Sequence, residues 1–267
     1  MLLARGTRHA ARGTRHGRRT CYWHAAEPSP EHADCCRFTS RSLRVIVSGL
    51  CQHAQVTSTD HLLIAPDDQP RGHLLSLVGA IEPWDYLERT HLDATRQWIA
   101  SGAPLYRVRK PDVPAKHLVS YFVVLDDTRG QLLLVAHRKA GLWLPAGGHV
   151  EPGEDPWAAV VRECREELGI EAVASPITGE QPLFLTVTRT QGQRAHTDVS
   201  LWYLLNAGAH TITSYDHSEF NAIRWLTDEQ VLEEPDDLLD PHMHRFTRKL
   251  QHARARRHGK ESAAAAS

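Results

Sequence analysis

Three carboxylates stand at i, i+3 and i+4 in this chain: Glu163, Glu166 and Glu167. On a helix such positions are neighbours, and like charges there repel. Stepping about 100° per residue from Trp157 puts Trp157, Val160, Val161, Cys164 and Leu168 on one apolar stripe. The carboxylates fall about 120° round from that stripe by the same geometry. Arg162 and Arg165 fall to the side, so nothing at helical spacing compensates all three acids. A charge run usually just faces water. On a helix that also packs against a core, such a cluster is unfavourable unless a cation sits on it. Hard carboxylate oxygens suit Mg²⁺ or Mn²⁺, bound together with waters and substrate phosphates.

The flanking residues decide between these readings. Gly148, Glu154, Arg162, Glu163, Glu166, Glu167 and Gly169 keep a fixed spacing, with Cys164 and Ile170 at two apolar places. The segment resembles the Nudix box, G-x5-E-x7-R-E-U-x-E-E-x-G-U with U apolar, and every fixed position matches. At ordinary residue usage a chance match is rarer than roughly one in a hundred thousand. The preceding run from Leu142 to Gly148 also looks like the strand and loop that lead into such a box.

The resemblance spans roughly His117 to Leu232. It implies a metal-dependent hydrolase that cleaves a diphosphate linkage in a nucleoside diphosphate joined to another group. It implies that Glu163, Glu166 and Glu167 hold Mg²⁺ or Mn²⁺, joined by the carbonyl of Gly147. It implies an Arg162–Glu154 ion pair that supports these ligands. Glu219, six residues before Trp225 in a polar loop, is our candidate for a carboxylate completing the catalytic set; an ordinary loop acid fits it equally. His149 is placed to touch a phosphate or to be a plain loop histidine, and His217 is expected to face solvent. The remaining histidines show no ligand spacing. The expected partner is a small nucleotide or other diphosphate, with no specific nucleic acid and no membrane. Substrate identity lies in loops outside the box. Two rival functions share the fold, a ligand-sensing regulator without catalysis and an isopentenyl-diphosphate-isomerase-like enzyme. The intact box argues against both.

The elements that position the box follow from periodicity. Pro83 tolerates a first helical turn, and Leu87, His91, Ala94 and Trp98 recur at helical spacing up to Ser101-Gly102. Strands are predicted over Leu118–Leu125, Leu132–Ala136, Leu142–Leu144, Leu183–Thr188, Val199–Leu205 and Ala222–Leu226. Pro145 to Pro156 reads as a Gly/Pro-rich loop, and Pro156 to Leu168 as a helix ended by Gly169. Helices near Asp228–Leu232 and Pro241–Ala255 close the pattern. The expected fold class is α+β, an α/β/α sandwich around a mixed sheet with an N-terminal helical extension. The expected division is 74–116 for extension and linker, 117–260 for the hydrolase domain and 261–267 for a disordered tail.

Residues 1–73 are expected to be disordered or spurious, apart from one short strand at Ser42–Leu50. The start repeats itself (Arg5 to His9, Arg12 to His16), carries no acid before Glu27 and has few apolar residues. It fits a transit peptide, and it fits equally an open reading frame extended upstream of the true start. The chain of 267 residues has a formal net charge of −1, so no global field draws it to nucleic acid or membrane. Five cysteines, an odd number, read as reduced thiols in a cytoplasmic protein. Cys21, His24, His32, Cys35, Cys36 and His53 match no compact zinc spacing.

Overall fold

The computed structural model describes residues 68–110, 112–190 and 195–265, together with a two-residue strand β1 (His24–Ala25). The strand expected at Ser42–Leu50 and the cysteine–histidine group near the start lie outside the described residues, save the backbone of His24. Two helices come first, α1 (Asp68–Ala80) and α2 (Tyr86–Ala100). The sheet is built from β2 (Lys116–Asp126), β3 (Gln131–His137), β4 (Leu142–Leu144), β5 (Ala146–His149), β6 (Phe184–Arg189), β7 (Thr197–Asn206) and β8 (Phe220–Thr227). Helix α3 (Pro156–Leu168) follows β5. Helices α4 (Asp228–Glu233) and α5 (Met243–Ala265) follow β8.

The strand order is β1-β6-β7-β2-β3-β4, with β5 on β2 and β8 on β3. β2 and β7 run parallel in register from Lys116↔Thr197 to Leu125↔Asn206, while the other pairings are antiparallel. Strands covered on both faces read as continuous apolar runs, and these two do. Their side chains alternate between two cores. Phe122, Val124, Leu201 and Tyr203 join α1, α2 and α3 in one layer, whereas Val123, Leu125, Trp202 and Leu204 join α4 and α5 in the other. The result is a mixed sheet between helices, the expected sandwich.

Several boundaries differ from expectation. Helix α1 begins at Asp68, ahead of the boundary near Leu74, and α5 continues to Ala265, past Ala255. Helix α2 starts after Asp85, which accepts a hydrogen bond from Glu88 N, and not at Pro83. Its buried face is Glu88, His91, Leu92, Thr95 and Ile99, while Ala94 is exposed. Polar residues sit on that face because α2 lies along β6. Leu185 N donates to Glu88 Oε1 (3.3 Å) and Val187 N to His91 Nδ1 (3.2 Å). Side chains of α2 thereby satisfy backbone donors of a strand near the sheet margin, which an apolar helix would leave unpaired. The short β5 lies inside the segment expected to be loop. Its Ala-Gly-Gly-His sequence lacks the β-branched and aromatic residues that mark a strand.

Candidate active site

The site rests on how α3 is held. Asp155 caps its start, accepting from Trp157 N (2.8 Å), and Pro156 occupies the first turn. Gly169 ends it with φ 66°, and its N–H bonds Arg165 O. A buried hydrogen bond from Ser120 Oγ to Pro156 O (2.9 Å) ties that start to β2. Val160, Cys164 and Leu168 pack into the core, and Trp157 packs against it partly buried. Cys164 is fully buried, which pushes its thiol up to about 12 and makes it an inert packing group.

The three carboxylates do not share one environment. Glu166 is exposed, with a side-chain exposure of 62%. Glu163 is 14% exposed, and Glu167 is 4% exposed as a residue. The last two turn towards β5. Glu167 Oε2 accepts Gly147 N–H at 2.8 Å. Burial first, then repulsion from Glu163, Glu219 and Asp216, hold the Glu167 carboxyl well above the ordinary carboxylate range, against the Gly147 N–H. Burial also raises Glu163; Arg162 opposes this, and Glu166 and Glu219 add to it.

Arg162 is more central than helical spacing suggests. It grips Glu154 through two bonds (Nε to Oε1 2.8 Å, NH2 to Oε2 2.9 Å). It also donates to Glu163 Oε1 (2.7 Å) and to the carbonyl of His149 (3.1 Å), and passes 3.6 Å from Glu166 Oε2. One guanidinium thus joins the box loop, β5 and the acidic face, as its planar fork permits. Arg162 reaches Glu163 and Glu166 but not Glu167, so the expectation that nothing compensates all three acids holds.

The loop that carries Glu219 is tied to the end of α3. Asp216 N bonds Glu167 O at the end of α3 (2.8 Å), and Arg138 N bonds Glu219 O (2.8 Å). The loop is so suspended between α3 and the end of β3 that Glu219 acts electrostatically on Glu163, Glu167 and His137. His217 is exposed beside Tyr215. A separate cavity of about 270 Å³ lies between α1 and the box loop, lined by Pro70, His73, Leu118 and Glu154, away from Glu163, Glu166 and Glu167.

The two glycines of β5 are sterically required. Gly147 has φ 134°, and an added Cβ would collide with the backbone of Ser120 and Tyr121 on β2. A Cβ on Gly148 would overlap the Glu163 carboxylate, which Arg162 holds in place. Gly148→Ala is therefore expected to displace Glu163 and lower kcat/KM about tenfold or more, as loss of supporting contacts does. The melting temperature should move little, since the lost glycine freedom offsets part of the strain by roughly 0.4–1 kcal/mol. A wild-type rate for this variant would show that Glu163 need not stand where it does.

Sequence reasoning missed a second group. His117, His149 and His196, assigned no shared role from spacing, meet with Asp112 and Asp198 at the ends of β2, β5 and β7. Burial pushes His149 down to about 3, helped by Arg107, so its ring is neutral. Burial raises Asp198, but the imidazoles of His117 and His196 outweigh it and hold the carboxyl down to about 2. No signal in the one-dimensional spacing joins residues 117, 149 and 196; strand register does.

A mixed sheet between helices, carrying a loop–helix acidic centre on its central strands, defines a Nudix-type diphosphate hydrolase. The NUDIX domain model matches residues 116–250, and the chain belongs to that family. It is 34% identical over 122 residues to the CTP pyrophosphohydrolase of Escherichia coli, covering 44% of this chain and 82% of that protein. It is 31% identical over 129 residues to Nudix hydrolase 25 of Arabidopsis thaliana, covering 41% of this chain and 73% of that one. A solved NUDIX-family hydrolase from Clostridium perfringens aligns with a TM-score of 0.38 at 21% identity, over 51% of this chain and 97% of its own.

Proposed function

We propose that Glu163, Glu166 and Glu167, with the carbonyl of Gly147 and the carboxylate of Glu219, hold Mg²⁺ or Mn²⁺ and hydrolyse a nucleoside polyphosphate. One observation carries the assignment: Glu167 is almost fully buried, among the described residues its carboxylate accepts only the Gly147 N–H, and Glu163 and Glu219 repel it. That donor set is all oxygen and strained by like charge, which suits a hard divalent ion. When bound there, such an ion neutralises diphosphate charge and lowers the pKa of an attacking water. Arg162 orients Glu163 and opposes the rise that burial gives its carboxyl, and Glu154 holds Arg162. Asp155 and Ser120 fix the helix start, so the acids meet substrate without rearrangement.

The substrate class takes its support from the E. coli relative, which acts on CTP. The chain's buried, unpaired Cys164 supports a reducing, cytoplasmic setting. Among the described residues no helix is long and apolar enough to cross a membrane. The test is a substrate panel with Mg²⁺: CTP, other nucleoside triphosphates, ADP-ribose, a dinucleoside polyphosphate and a sugar nucleotide. CTP should give CMP and pyrophosphate. Silence from the whole panel with either metal would return the protein to the regulator reading.

A further inference from the structure

Strand register places four ligand-type side chains at one end of the sheet. His117 pairs with Asp198 across the parallel β2–β7 ladder, and His149 pairs with Val119, two residues along from His117. His196 lies two residues before Asp198. Side chains two apart on a strand share a face. The His117 ring accordingly stacks 5.2 Å from His196 and lies 4.7 Å from His149.

The hydrogen bonding there is incomplete in a specific way. His117 Nδ1 sits 2.9 Å from Pro114 O, and a carbonyl can only accept, so Nδ1 carries the proton. In a neutral ring Nε2 then presents a lone pair. That atom faces Asp198 Oδ1 at 3.2 Å without hydrogen-bond alignment, and both atoms are buried with no hydrogen-bond partner. His196 Nε2 stands 3.3 Å from the same oxygen. His117 is fully buried and Asp198 is 7% exposed. His149 Nε2 is a third buried atom lacking a hydrogen bond. A neutral His117 ring facing that carboxylate oxygen through its lone pair is costly unless a proton or a metal ion lies between the two atoms. A ligating histidine that donates its other ring N–H to a backbone carbonyl is the usual arrangement around a metal.

We propose that His117, His196 and Asp198, each of which offers a ligand atom within 4.8 Å of the others, bind a divalent transition-metal ion of the zinc class, with His149 and Asp112 as further donors beside His117. The site is distinct from the box carboxylates. Its nitrogen-rich set selects zinc, where the box acids select Mg²⁺ or Mn²⁺. The ion ties the start of β7 to the start of β2, and through His149 it bears on the end of β5. The carbonyl of His149 is also held by Arg162, so this tie would steady the Gly147-Gly148 turn.

The experiment is metal analysis of the full chain, purified without chelator and dialysed against excess Mg²⁺. One zinc per chain should remain. Stripped protein retitrated with zinc should regain it and melt at a higher temperature. His196→Gln and Asp198→Asn should each bind zinc at least about tenfold more weakly. Glu166→Gln with Glu167→Gln should keep the zinc. His196 is partly exposed (18% for its side chain), so its variant should fold, and far-UV circular dichroism checks that. No retained zinc in the wild-type chain overturns the proposal whatever the variants do. So does zinc that binds His196→Gln as tightly as wild type, or that is lost with the box variant.

Discussion

Glu167→Gln should lower kcat/KM by roughly a hundredfold to a thousandfold. Removing a charged metal ligand forfeits several kcal/mol of transition-state stabilisation, at about 1.4 kcal/mol per tenfold. Glutamine keeps the shape and can still accept the Gly147 N–H that now bonds Oε2 at 2.8 Å. Metal-free stability should hold or rise, because the variant removes a buried carboxyl whose ionised form is disfavoured by burial and by Glu163, Glu219 and Asp216. An acid that merely faced water would give the reverse pattern, an unchanged rate and a small stability effect. Steady-state kinetics at saturating Mg²⁺, paired with thermal melting in chelator, reads both. A rate within about threefold of wild type, well under the tenfold that 1.4 kcal/mol brings, would remove Glu167 from the site. Glu219→Gln is the milder companion, and its lost rate with unchanged folding would place Glu219 beside the box acids.

Glu88→Ala should destabilise the fold by about 3–5 kcal/mol. Glu88 is fully buried on α2 and meets Lys249 of α5 at 2.7 Å. Its oxygens also accept from Trp84 N (2.6 Å) and Leu185 N (3.3 Å), while Lys249 donates to Glu82 O (2.7 Å). Truncation would leave a buried ammonium without its counter-charge and a strand N–H without an acceptor. Burial raises the Glu88 carboxyl and lowers the Lys249 amine, the sign expected of a pair taken out of water. Glu88→Ala combined with Lys249→Met should recover much of the loss, since an apolar pair carries no desolvation penalty. Urea unfolding measures it. A cost below about 1 kcal/mol, the range of an exposed pair, would mean that α2 is an appendage and not part of the domain. The expected large cost would make the extension integral, although the family match begins only at residue 116.

What could be read from sequence was whatever repeats locally. The α3 stripe, the Asp155–Pro156 start and the Gly169 stop are neighbour-range signals, and the helix lies at Pro156–Leu168. The long strands β2 and β7 were legible because burial on both faces demands unbroken apolar runs. What failed depends on tertiary partners. Strand β5 forms from Ala-Gly-Gly-His because β2 accepts a backbone without side chains beside it, a demand set by Ser120 and Tyr121. The buried face of α2 keeps His91 of the expected stripe but turns to carry Glu88, and both accept from backbone donors almost a hundred residues away. Arg162 sits beside the acids on a helical wheel, yet its long side chain reaches Glu154, Glu163 and the His149 carbonyl together. The histidines near residues 117, 149 and 196 looked scattered because only the β2–β5 and β2–β7 registers bring them together.

The most direct test of the account counts Mn²⁺ bound by the zinc-loaded protein, from the loss of the free-ion electron paramagnetic resonance signal. The wild-type chain should take up Mn²⁺. The protein carrying both Glu166→Gln and Glu167→Gln should take up at least about tenfold less at the same free concentration, having lost two hard oxygen donors. Equal uptake by the two proteins would contradict the claim that the acidic face of α3 is a metal site.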